Sequence, residues 1–326
     1  MRNSLSLILK NKVATILISL FITCPLLAQT SPEQRLTHAY ALEREGKPAQ
    51  ATVELQALLD AKSLDAPGTG KAWNILGIAY EDQGEYVDSQ HAYERSIRMF
   101  EGLPNNVRDY AMVLDDFGGL CIATGQPEPA VRLKQKAFGL YEAISDHAGM
   151  TRASIALAGV AFSRQKTNEG RRYLERAVKE AQLATDLDDD DLAAIASMQG
   201  WLAQLKGDST TSVWRYRQSL DLMIKRHGEE HPSVGWGYML LGRAHVDVGD
   251  VTVALAEMKR GRTILGRTMD SQNPKYLTAK IAYSHVLDAT GAHVEAAQIK
   301  TTAERQLKEG LSRRCSNCTI SAAAYQ

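Results

Sequence analysis

The sequence predicts an all-α fold, an α-solenoid of about seven stacked helix pairs. Three observations carry this expectation. Small and apolar residues recur with a period that settles at 42; two positions of the period hold only small residues; and a third, at a turn, is glycine in six cases of seven. The composition agrees with a large folded core, with 326 residues, 44% apolar and 23% charged. Lysine plus arginine equals aspartate plus glutamate at 38 each, so no global charge steers nucleic acid or anionic lipid to the chain. Length by itself suggests two average domains; the period points instead to one continuous array.

Residues 1–28 stand apart. Arg2, Lys10 and Lys12 make a basic start, no acid precedes Glu33, and Val13 to Thr23 form an apolar stretch of 11 residues before Cys24-Pro25-Leu26-Leu27-Ala28. That layout predicts a secretory signal peptide cleaved after Ala28, although Leu26 is less usual than alanine three residues before a cleavage point. An uncleaved anchor is the alternative, but 11 apolar residues fall short of the roughly 20 that span a bilayer. Phe21-Ile22-Thr23 before Cys24 does not suit a lipidation signal. Cleavage removes three positive charges and leaves a mature chain of net charge −3. The expectation is an exported protein, periplasmic or secreted, with no integral membrane segment after cleavage.

The repeats start near residues 32, 70, 111, 151, 193, 235 and 277, and the array is expected over 32–310. The eighth position of each holds Ala39, Gly77, Gly118, Ala158, Gly200, Gly242 and Ser284. The turn holds Gly46, Gly84, Gly125, Gln165, Gly207, Gly249 and Gly291. The twentieth position holds Ala51, Ser89, Ala130, Gly170, Ser212, Ala254 and Ala296. Small side chains are needed where two helices cross closely, and a glycine between helices can take the left-handed conformation that ends the first. Proline gives an independent check. Pro67, Pro232 and Pro274 each precede a repeat start by three residues, and Pro48 and Pro127 open second helices, where a missing N–H costs nothing.

Trp73-Asn74-Ile75-Leu76-Gly77-Ile78-Ala79-Tyr80, followed by Gly84, Tyr86, Ser89, Tyr93 and Ser96, resembles the tetratricopeptide repeat (TPR), whose pattern is W-x₂-L-G-x₂-Y before a turn glycine and a second helix. The spacing near 42, with the junction Met223 to Pro232, is similar to kinesin-light-chain-type repeats. The resemblance covers about residues 32–310 and is strongest in repeats two, three and six. Repeats one and seven depart most, with Arg35 and Lys280 where an aromatic is expected, as terminal repeats often do. It implies a right-handed α-solenoid whose first helices line a concave groove through positions 2, 5, 9, 12 and 13. By position, the candidate partner-binding residues are Lys71, Asn74, Asp115, Arg152, Trp201, Trp236, Met239, Arg243 and His285. Tryptophan and arginine are the types that dominate binding hot spots. The carboxylate clamp of the family's chaperone-binding members is not expected, because Asp115 and Asp116 would repel a carboxylate.

Other motifs are weaker. His227-x-x-Glu230-His231 has the spacing of an inverted zinc-protease motif, but Gly228 and Pro232 break the helix that would put both histidines on one face. Gly68-Thr69-Gly70-Lys71 lacks the first glycine, the Ser/Thr and the preceding strand of a phosphate loop. Asp186 and Asp188 to Asp191 could hold Ca²⁺; complementing the positive end of the helix that follows is the plainer reading. Cys121 reads as a small core residue. The tail, 311–326, carries Cys315-Ser316-Asn317-Cys318. An exported chain is expected to join these two as a local disulfide, with inter-chain pairing, metal binding and thiol chemistry as alternatives.

The function expected is therefore an exported, non-enzymatic scaffold that holds a protein or peptide partner in its concave groove, with no cofactor, no metal, no catalytic constellation and no nucleic acid. The alternative is a redox- or metal-responsive module acting through Cys315 and Cys318. Self-association through an uncapped last helix stays open.

Overall fold

A computed structural model describes residues 30–314. The segment 1–28, Cys315 and Cys318 lie outside the described residues. Fourteen helices, and no strand, make up the described chain. They pair as α1 (Pro32–Arg44) with α2 (Pro48–Ala61), α3 (Ala66–Gln83) with α4 (Tyr86–Glu101), α5 (Val107–Ala123) with α6 (Pro127–Ala143), and α7 (His147–Ser163) with α8 (Thr167–Ala181). The remaining pairs are α9 (Asp189–Leu205) with α10 (Ser209–His227), α11 (Pro232–Asp247) with α12 (Val251–Thr268), and α13 (Pro274–Ala289) with α14 (His293–Arg314). Each pair packs within itself and then on its neighbours. This is the all-α solenoid of about seven helix pairs that the sequence predicts.

Helix starts follow local chemistry. Ser31 and Gln34 form a reciprocal capping box before α1. Asp65, Asp146, Asp208 and Asp250 accept backbone N–H bonds at the starts of α3, α7, α10 and α12. Proline occupies the first turn of α1, α2, α3, α6, α11 and α13, where its fixed φ suits the helix.

All fourteen residues of the two small columns are buried. Packing explains why. A Cβ on Gly77 would lie 2.7 Å from the Tyr93 ring, one on Gly118 would lie 3.0 Å from the Lys134 stem, and one on Gly200 would lie 3.2 Å from the Tyr216 ring. Gly242 faces Met258 in the same register. Where the first helix carries alanine instead, at Ala39 and Ala158, the residue in that register of the second helix is Leu55 or Leu174, shorter than the tyrosine, lysine or methionine that stands opposite a glycine. Bulk on one helix is matched by bareness on the other, as close packing requires. Buried serines complete the joint. Ser89 Oγ donates to the Gly77 carbonyl, Ser96 to Gly70 and Ser219 to Ala193, at 2.7, 2.7 and 2.8 Å.

The turn column has one conformation throughout. Six glycines there have φ between 70° and 87°, and Gln165 adopts φ 59° at the same turn of the fourth repeat. A residue with a Cβ pays roughly 1–2 kcal/mol for that left-handed region.

Candidate functional site

The solenoid closes on itself. Arg44, the last residue of α1, reaches the start of α9, where its Nη2 lies 2.6 Å from Asp190 Oδ2 and 3.2 Å from Asp188 Oδ2. The turn after α1 packs against the start of α11, so that a Cβ on Gly46 would meet Pro232 Cδ at 3.0 Å. At the end of α3, the Asp82 carbonyl accepts from Asn273 Nδ2 at 2.6 Å, and its carboxylate pairs with Lys275 Nζ at 2.8 Å. Repeats one and two thereby meet repeats five, six and seven along a polar seam.

The acidic run at 188–191 is the hub of that seam. Asp188 caps α9 in a box with Asp191, as the sequence reading has it. The run also collects basic side chains from around the ring. Arg152 holds Asp191 through two bonds of 2.7 Å, Lys225 lies 2.9 Å from Asp189, and His227 Nε2 lies 2.6 Å from Asp190. His227 and His231 do not form a metal pair; their rings stack at 4.1 Å. Burial, then the neighbouring His227, lowers the His231 pKa to about 4. No group of three or more metal-ligating side chains occurs among the described residues. Cys121 is buried in the α5–α6 core, and burial raises its pKa to about 11, which leaves it a thiol.

Enclosed by the ring is a cavity of about 1750 Å³. Eleven carboxylates and seven lysine or arginine side chains line it, together with Asn74, Ile78, Met112, Tyr141 and Trp236. Five of the nine candidate groove residues, Lys71, Asn74, Asp115, Arg152 and Trp236, are on its wall. Most of the polar ones already have partners: Lys71 with Asp109 at 3.3 Å, Asp115 with Lys134 at 3.0 Å, and Arg152 with Asp191.

The other four lie elsewhere. Met239 is 3% exposed and belongs to the core around Ala279 and Tyr283. Its register, the fifth position, is buried in repeats two to seven; Asn74 and Asp115 hold that position at the cavity wall, whereas Met239 is covered by its neighbours. Trp201 packs edge-on against Phe162, with centroids 5.6 Å apart. Arg243 donates to Gln204 at 3.0 Å, and His285 is exposed away from the cavity wall.

Several wall residues were not singled out from sequence. Glu43, Arg44 and Asp82 occupy groove positions 12 and 13 of repeats one and two, and that register was the available signal. Asn273 and Lys275 at the start of α13 carry no such mark, since only the closure gives them a role. Burial chiefly, and then Asp82, raises the Glu43 pKa to about 7. Burial and then Asp115 raise Asp116 to about 7. Burial alone would lower the Lys275 pKa; Asp82 and Glu81 outweigh it and hold the ammonium charged.

Residues 68–143 match the tetratricopeptide repeat family. No curated protein matches the chain in sequence. Among solved structures, NprR in complex with its cognate peptide NprX is similar at 14% identity, over 96% of this chain and 89% of that one, with a TM-score of 0.61. A Rap protein complexed with competence and sporulation factor is similar at 13% identity, over 86% and 91%, with a TM-score of 0.57. The APC/C hetero-tetramer Cut9–Hcn1 is similar at 14% identity, with a TM-score of 0.56, over 87% of this chain and 49% of that one. At these identities the likeness is one of fold. Residues 68–143 carry tetratricopeptide-repeat sequence, and the seven helix pairs share the fold of tetratricopeptide-repeat-like solenoids.

Proposed function

We propose that the chain is an exported, non-enzymatic scaffold that holds a peptide segment of a partner inside the cavity enclosed by its solenoid. The observation that carries this reading is the cavity itself. At about 1750 Å³ it exceeds the roughly 300–1,000 Å³ of small-molecule pockets, and its wall mixes paired charges with Met112, Tyr141 and Trp236. The neighbours in fold support it, since NprR was captured with a peptide and Rap with a sporulation factor. Among the described residues no helix is long and apolar enough to cross a membrane. The basic start and apolar stretch of residues 1–28 support export.

Photo-crosslinking inside the native cell envelope tests the site. A photoreactive residue is placed at Met112, on the cavity wall, or at Trp214, which is exposed and outside it. Adducts are expected from position 112 and are to be lost in Trp236→Ala at unchanged helicity. Adducts from position 214 alone would overturn the cavity assignment. A purified envelope form that begins at Gln29 by mass is the outcome expected for export; a full-length cytoplasmic form would overturn it.

A further inference from the structure

One corner of the cavity is chemically one-sided. Glu43 from α1, Asn74 and Asp82 from α3, and Asp115 and Asp116 from α5 all line it. Two of the four carboxylates have cations of their own, Asp82 with Lys275 at 2.8 Å and Asp115 with Lys134 at 3.0 Å. The other two do not. Asp116 accepts a single bond of 2.7 Å from Asn74 Nδ2, and Glu43 feels Arg44 and Lys275 only at longer range, with no ion pair to either among the described residues. Asn74 itself is 6% exposed, and its Oδ1 is buried with no hydrogen-bond partner.

Every unused atom in this corner is therefore an acceptor: two carboxylates and one amide oxygen. A buried acceptor without a donor is costly, and two carboxylates without a cation are more so. Burial first, and the neighbouring Asp82 and Asp115 second, raise the Glu43 and Asp116 pKa values; Arg44, Lys275 and Lys134 act in the opposite sense without overcoming them. Among the described residues no three histidine, cysteine or carboxylate side chains converge as a metal-holding group. An anion is repelled. What complements the corner is a group that brings positive charge and several N–H donors together.

We propose that this corner receives the cationic group of a peptide ligand, an N-terminal amine, a lysine or an arginine, held between the Glu43 and Asp116 carboxylates with Asn74 Oδ1 as the neutral acceptor. This rests on the peptide reading of the cavity. It adds the side-chain class that the cavity selects and the residues that select it.

The test uses the full mature chain, immobilised, and a random octapeptide library in two forms: native, and with every amine acetylated and every arginine replaced by citrulline. Retained peptides are sequenced by mass spectrometry. The native library is expected to yield peptides enriched at least fivefold in a basic group at one position, and the neutralised library to be retained at least tenfold less. Both differences are expected to vanish in the Glu43→Gln/Asp116→Asn double variant, whose changes keep side-chain shape. As a measurement independent of that variant, titration of the wild-type chain at pH 7 with the strongest native peptide should release protons, seen as a heat that depends on the buffer's ionisation enthalpy. Equal retention of the two libraries, or binding without proton release, overturns the cationic corner and leaves the peptide reading standing. No retention from either library overturns both.

Discussion

The crossings inside each helix pair and the chamber at the centre of the ring are built on opposite terms. At a crossing, a bare backbone such as Gly242 receives a bulky neighbour such as Met258, and buried serines bond to a carbonyl 12 or 26 residues away. In the chamber, Arg44, Asp188 and Asp190 meet across 144 and 146 residues, and charge rather than volume is matched. Packing in the crossings is complete and leaves no room for a ligand. Charge matching in the chamber is incomplete, and the shortfall at Glu43 and Asp116 is what a ligand can supply. The contrast separates residues that hold the solenoid from residues that give it an occupant.

Changes to the crossings should have the largest effect. Gly242→Val would put a branched side chain against Met258 and within 2.9 Å of the Ala254 carbonyl at Cβ. A loss of about 3 kcal/mol is expected, read by urea unfolding; a loss near zero would show that the crossing tolerates bulk and that the comparison is wrong.

In the chamber the sign reverses. Glu43 and Asp116 have folded-state pKa values of about 7, above those of the unfolded chain, so the folded state binds the extra protons. Their stabilising effect is full below about pH 4 and is lost as pH rises through 7. Glu43→Gln/Asp116→Asn should therefore stabilise the empty chain at pH 8, by on the order of 1–3 kcal/mol, and change nothing at pH 4. His231, with its lowered pKa, acts in the opposite sense in both chains: its contribution is present above about pH 6.5 and lost as pH falls through 4. The difference between variant and wild type isolates the carboxylates. Equal melting curves at pH 8 would remove the charge deficit from the comparison.

The turn column offers a smaller, stabilising change. Gln165→Gly relieves the left-handed conformation at φ 59°, and a gain of about 1 kcal/mol is expected in thermal melting. A loss would mean that the glutamine side chain contributes more than its backbone costs.

The seam should respond least in stability and most in shape. Arg44→Ala removes ion pairs in which the guanidinium is about one-third exposed (34%), so less than about 1 kcal/mol is at stake. Small-angle scattering is expected to show a larger radius of gyration as the ring loosens. An unchanged profile would assign closure to the Asp82–Lys275 contact and the Gly46 packing instead.

The repeat register, both small columns and the turn positions were legible in the sequence because each depends on contacts inside one period of about 42 residues. The resemblance placed five of nine groove residues on the cavity wall. It placed Met239 and Trp201 on the same footing, although one is covered by its neighbours in the core and the other packs against Phe162. The acidic run at 188–191 was legible as a helix cap but not as the meeting point for Arg44, Arg152, Lys225 and His227.

By itself, then, the sequence determined that this chain is a stack of helix pairs, where each pair begins and turns, and which faces must be small. The tertiary structure decided that the stack closes into a ring, that the ring encloses a chamber, and that two of the chamber's carboxylates lack a cation. The physical reason is accumulation. Closure is the sum of small rotations over seven repeats, each set by side-chain volumes at a crossing. No local pattern records that sum, so Asp82 and Lys275, 193 residues apart, find each other only in the folded molecule.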